Sequence, residues 1–111
     1  MASNKSGTFC RELLCHLGIN RFFTTITGVG DGLRPKPLSD MVDAVVRDLD
    51  LHPNEVIMVG DTVEDIKAGK GARIDVYALG NGYHPLQKLI RERPRRILRE
   101  LRDLPRALGI A

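Results

Sequence analysis

The chain has 111 residues and a mass of 12.3 kDa, room for one small domain. Apolar residues make up 42% and charged residues 28%, a globular balance that excludes wholesale disorder. The net charge is +3. Residues 88–106 carry eight basic and three acidic side chains (local charge +5), and the remainder nine basic and eleven acidic. No apolar run approaches the roughly 20 residues that span a bilayer. Nothing apolar follows Met1-Ala2-Ser3-Asn4-Lys5 as in a signal peptide. The expectation is a cytoplasmic protein without membrane contact.

The elements alternate along the chain. Phe9, Leu13, Leu14 and Leu17 share one face of a helix over residues 8–17, with Gly18 as its stop. Cys10 and Cys15 lie on it, five apart; they form no disulfide framework and lack metal-ligand spacing. Phe22 to Val29 is rich in β-branched and aromatic residues and predicts a strand. Gly30 to Pro37 is a loop. Ser39 is positioned to cap a helix to about Leu49, with Met41, Val45 and Leu49 on its apolar face. Val56 to Val59 is a continuous apolar run, as in a parallel strand buried on both faces. A helix follows over about 63–72, then a strand over 75–79 and a Gly80-Asn81-Gly82 turn. Pro85 suits the first turn of a helix to about Arg93. Ile97-Leu98 predicts a short strand, and 104–108 a weak last helix. This order predicts an α/β fold with right-handed crossovers.

Three features bear on chemistry. The strand at 56–59 delivers Asp61 at its carboxyl end, where open α/β sheets bind ligands. Asp65 lies one helical turn on, so both carboxylates can face one crevice and suit Mg²⁺. The competing account, that Asp61 caps the helix with Glu64 completing a loose capping box, fits the spacing as well. Lys36 sits between Pro35 and Pro37, a stiff backbone that can present a fixed charge to a phosphate. An exposed loop lysine is the simpler account. Ser3-Asn4-Lys5 precede the first helix, where a hydroxyl and free N–H groups can hold phosphate; alone, they read as an ordinary tail. Gly28-Val29-Gly30-Asp31-Gly32 lacks the order of a phosphate loop. The basic stretch has no aromatic residue for base stacking, so a solvated arginine face is expected rather than nucleic-acid binding.

Together, Ser3-Asn4-Lys5, then Lys36-Pro37, then Gly60-Asp61-Thr62-Val63-Glu64-Asp65 resemble the haloacid dehalogenase superfamily, and within it the phosphoglycolate phosphatase-like branch. Leu17-Gly18-Ile19, Phe22-Phe23, Leu51 with Pro53, Asp65-Ile66-Lys67-Ala68-Gly69-Lys70 and Gly82-Tyr83-His84 extend the resemblance over nearly the whole chain. It implies a Rossmann-like parallel sheet with flanking helices and a Mg²⁺-dependent phosphohydrolase acting on a small phosphorylated metabolite. It also implies roles: Ser3, helped by the backbone near Asn4, holds the phosphoryl group. Lys36 neutralises charge, Asp61 binds the metal, and Asp65 is the second acid supporting that site.

The family's DxDxT/V motif, with its nucleophile and general acid/base, has no counterpart. Asp48-Leu49-Asp50-Leu51 has the spacing but ends an amphipathic helix. The cap domain is missing as well, so residues 1–111 are expected to be the C-terminal part of a single core domain, inactive alone. Arg73 stands where the family has a helix-ending glycine, and Gly69 and Gly71 fall inside the preceding helix. Two alternatives stay open. One is an inactive phosphate- or metal-binding half-domain completed by another chain or a homo-oligomer. The other is a module that binds nucleic acid or an acidic partner through its basic tail. Without its central strand the chain is expected to be weakly stable.

Overall fold

A computed structural model describes residues 1–110. It is an α/β molecule: β1 (Ala2–Ser6), α1 (Gly7–His16), β2 (Thr27–Val29), α2 (Asp40–Asp48), β3 (Ile57–Gly60), α3 (Val63–Gly71), β4 (Asp75–Leu79), α4 (Leu86–Arg91), β5 (Arg96–Leu98) and α5 (Leu104–Ala107). All strand pairs are parallel, as the apolar runs and crossover helices require. No helix among the described residues is long and apolar enough to cross a membrane.

The strands form two separate parallel sheets. β1 pairs with β2, and β3 with β4 and β5 in the order β3-β4-β5. β1 and β3 share no ladder. Met1 and Ala2 instead face Val56–Val59 across an apolar groove floored by Val42, Val45, Val46 and Ile74. This corrects the expectation for the apolar run. Every residue of β3 is half-buried, because its edge toward β1 has no neighbour. β4, paired on both edges, buries Val76, Tyr77 and Ala78.

The core lies where helices cover β3, β4 and β5. Val42 and Val46 of α2 pack with Ala68, Ala72 and Ile74; Ile66 of α3 packs with Val76, Ala78 and Leu89. The buried residues of α2 are Met41, Val42, Ala44 and Val46. Leu49, expected on that face, is only half-buried. Ser39 stands at the N-cap of α2 but caps nothing; its hydroxyl donates to the Asp43 carboxylate at 2.8 Å.

Further differences are local. Residues 22–26 are not a strand: a 3-10 turn at Asn20–Phe22 takes up the chain, and β2 is only Thr27–Val29. Pro85 precedes α4 as its N-cap residue instead of entering its first turn. Gly69 is required by packing, since a Cβ there would lie 2.2 Å from Val76 Cγ2. The end of α3 is resolved by Arg73 itself, which takes the left-handed conformation at φ +62°. That position costs a non-glycine residue on the order of 1 kcal/mol.

Two expectations follow. The 111-residue chain should melt below about 45 °C, the low edge for mesophilic domains, and bind a hydrophobic dye in the β1/β3 groove. A clean monomer melting higher, without dye binding, would contradict the open groove. Gly69→Ala should destabilise by about 1–3 kcal/mol through overpacking. Helix propensity alone predicts a gain of about 1 kcal/mol, so chemical denaturation decides the sign.

Candidate active site

The site forms where β1 and β3 end. β1 leads through α1 to β2, away from β3; β3 leads through α3 to β4, away from β1. The strand order reverses between them, and open α/β sheets bind ligands at such switch points. Ser3, Asn4, Lys5, Lys36, Asp61, Thr62, Glu64 and Asp65 line one cleft there. The structure thus brings together every site residue expected from the sequence, from segments up to about 60 positions apart.

Lys36 is not an exposed loop lysine. Its side chain is 10% exposed, and its Nζ donates to Asp65 Oδ1 at 2.5 Å and to the Ala2 carbonyl at 2.9 Å. Its backbone is fixed from the far side of the cleft. Asn4 Oδ1 accepts from Lys36 N–H at 2.8 Å, while Asn4 Nδ2 donates to the Lys36 carbonyl at 2.9 Å. Asn4 therefore spends its side chain on placing Lys36. The same loop is anchored by Arg34, which grips Asp40 through Nε and Nη2 at 2.8 and 2.9 Å. This pairing raises the Arg34 pKa and holds the Asp40 carboxyl below its usual range.

Asp61 and Asp65 play unlike parts. Asp65 is 5% exposed, and its Oδ2 accepts from Asp61 N–H, Thr62 N–H and the Thr62 hydroxyl at 3.0, 3.1 and 2.9 Å. Thr62 accepts in return from Asp65 N–H at 3.2 Å. The cap of α3 is therefore a box of Thr62 with Asp65, not Asp61 with Glu64. Gly60 is needed for this closure, because a Cβ there would sit 2.4 Å from Asp65 Oδ2. With Lys36 on Oδ1, both Asp65 oxygens already accept hydrogen bonds within the protein. Asp65 supports the site by holding the Asp61 turn and Lys36.

Asp61 keeps one oxygen free. Its Oδ2 accepts from Tyr83 N–H at 2.8 Å, and no described residue donates to Oδ1. No three His, Cys, Asp or Glu side chains among the described residues form a metal cage. Mg²⁺ takes one or two carboxylates and fills its shell with water and phosphate oxygens. A single free oxygen at the head of an open cleft fits the least-liganded version of that arrangement.

Ser3 lies within β1, and its Oγ accepts from Lys5 N–H at 3.0 Å, leaving the hydroxyl proton to donate into the cleft. The N-cap of α1 is Ser6, three residues later, so Ser3 is not at the helix start. Asp48 ends α2 and accepts from the Thr25 hydroxyl, and Asp50 follows the helix; neither lines the cleft. Sequence reasoning did not single out Thr62, Glu64 or the 82–84 segment as parts of this site. The Thr-x-x-Asp spacing of a capping box was the available signal for Thr62.

The sequence pattern of haloacid dehalogenase-like hydrolases matches residues 1–79. The chain belongs to that family. It is 31% identical over 110 residues to a phosphoglycolate phosphatase of Yersinia pestis, covering 99% of this chain and 47% of that protein. It is 30% identical to one of Escherichia coli K12, covering 99% and 44%. A haloacid dehalogenase-like hydrolase from Streptococcus pneumoniae superposes with a TM-score of 0.85 at 21% identity, over 95% of this chain and 49% of that one. A hydrolase of the superfamily from Ehrlichia chaffeensis does so at 0.78 and 25%, over 98% and 49%. The chain spans about half the length of the relatives it matches.

Breaking one side of the Lys36–Asp65 pair should be costly. Asp65→Asn keeps an acceptor for the Asp61 and Thr62 amides but leaves the ammonium without its charge partner. A loss of about 3 kcal/mol is expected in urea denaturation. Adding Lys36→Met should recover part of it; a double variant losing the sum of both singles would show that the two groups do not interact.

Proposed function

We propose that this chain supplies the phosphoryl- and metal-binding half of a Mg²⁺-dependent phosphomonoesterase acting on a small phosphorylated metabolite, with 2-phosphoglycolate the substrate suggested by its relatives. The observation that carries this reading is the shared cleft of a fixed ammonium, Lys36, and a carboxylate with one free oxygen, Asp61. Phosphoryl transfer needs positioning and charge neutralisation more than covalent help from the protein. Lys36 faces the phosphoryl oxygens as a point charge. The Ser3 hydroxyl donates to one of them, and Asp61 Oδ1 holds the cation. When bound, Mg²⁺ supplies further charge neutralisation at those oxygens.

No described residue acts as nucleophile in this reading. A carboxylate has to come from outside these residues, and the groove beside the unpaired edges of β1 and β3 is where a strand bearing it has room. The coding DNA upstream of Met1 is the direct check: an in-frame apolar strand ending in DxDxT/V supports the phosphatase reading. In a protein that joins such a strand to this chain, Asp61→Asn and Lys36→Met should each lower kcat by about 100-fold or more. Retained activity with unchanged Mg²⁺ dependence would sink the assignment of Asp61.

A second reading is favoured by the groove itself. The chain would be an inactive half-domain that binds phosphate and metal and completes its sheet with a strand from another chain. Titrating Mg²⁺ and inorganic phosphate into the isolated chain separates this from a chain that binds neither.

A further inference from the structure

The segment between β4 and α4 reaches back over Asp61 in a way that the catalytic reading does not use. Tyr83 N–H donates to Asp61 Oδ2 at 2.8 Å, and His84 N–H donates to the Asp61 carbonyl at 3.3 Å. Val63 N–H, in the first turn of α3, donates to His84 Nδ1 at 2.9 Å. His84 therefore carries its ring proton on Nε2 when neutral. Its ring is 18% exposed, with Glu64 Oε2 4.0 Å from Nδ1. Gly82 closes the contact: a Cβ there would lie 2.2 Å from Asp61 Cβ and 2.5 Å from Oδ2.

These contacts fix Asp61 at its main chain, at one carboxylate oxygen and along one side of the carboxylate. Tyr83 N–H tethers the carboxylate in this orientation, and the missing side chain at Gly82 leaves the room that the orientation needs. The remaining oxygen, Oδ1, has no donor among the described residues. Backbone groups do the holding at Asp61, so the side chain of Tyr83, 84% exposed, is not needed for it.

We infer that Gly82-Tyr83-His84 is the positioning element for Asp61, presenting one carboxylate oxygen to a divalent cation and tying that orientation to the β4–α4 connection. The inference rests on Asp61 being the cation ligand. Gly82 and His84 act through Asp61 and are positioning residues, not catalytic ones. Outer partners that orient a metal ligand typically change metal affinity by 10- to 100-fold.

The test uses the 111-residue chain and Mn²⁺ as a paramagnetic stand-in for Mg²⁺, with affinity read from water-proton relaxation. Gly82→Ala should weaken Mn²⁺ binding by at least about 10-fold and speed amide exchange at Tyr83, with the β4 amides unchanged. His84→Ala should weaken it less, and His84→Asn, which restores an acceptor for Val63 N–H, should recover part of the loss. Wild-type affinity in Gly82→Ala with Tyr83 still protected would overturn the inference. Should the wild-type chain bind no Mn²⁺, the reading of Asp61 as cation ligand fails separately. The positioning contact is then judged by exchange alone: Tyr83 protected in the wild type and released in Asp61→Ala supports it, and an unprotected Tyr83 overturns it.

Discussion

The Lys36 ammonium joins parts of the chain that no backbone ladder connects. It bonds the Ala2 carbonyl of β1 and the Asp65 carboxylate of α3 at once. β1 belongs to one sheet and α3 packs on the other. A buried charge is tolerated only with a partner and satisfied hydrogen bonds. Both conditions are met at the same point, so the cost of burying Lys36 also fixes how the two sheets approach. Asn4 adds the matching constraint on the Lys36 backbone. The alignment of the two sheets and the position of the charge facing the cleft are one arrangement.

The unpaired edges of β1 and β3 have consequences well beyond the groove. A parallel strand as apolar as Ile57-Met58-Val59 normally has neighbours on both edges. Here it has one, and its side chains stay half-buried. β4, one strand further in, has two neighbours and is buried accordingly. The difference in burial between two similar strands comes from pairing, not from hydrophobicity. The groove's lining includes Ala2 and Val59, one and two residues along the chain from Ser3 and Asp61 of the cleft, so the same two strands serve both.

Local patterns told the sequence reading most where one element decided its own limits. β4 spans Asp75–Leu79 as predicted, and α1 stops before Gly18, which is at φ +72°. Reading failed where a distant contact decided. The β-branched run before Gly28 looks like strand throughout, yet only its last part reaches β1 to pair. Ser39 has the right identity for a cap, but Asp43 one turn on takes its proton. Gly69 and Gly71 look like defects in a helix until Val76 and Ser39 are seen against them. Of the site, the charged residues were legible because their spacing repeats a known family order. Their contacts were not: Asn4 meets Lys36 across 32 positions, and Tyr83 meets Asp61 across 22. No local pattern encodes contacts of that range.

The two aspartates show how similar carboxylates one helical turn apart acquire opposite tasks. Asp65 receives two amide N–H groups, one hydroxyl and an ammonium. Its charge is neutralised inside the protein, and each bond fixes part of the turn or of Lys36. Asp61 receives a single side-chain hydrogen bond. Its charge is left to be neutralised from the cleft. An ammonium placed on Asp65 rather than Asp61 is what makes this division possible, because a lysine on Asp61 would compete with a cation for the same oxygen. Asp65 therefore does two things for the cleft: it keeps Lys36 from pairing with Asp61, and it holds the turn in which Asp61 presents its open side.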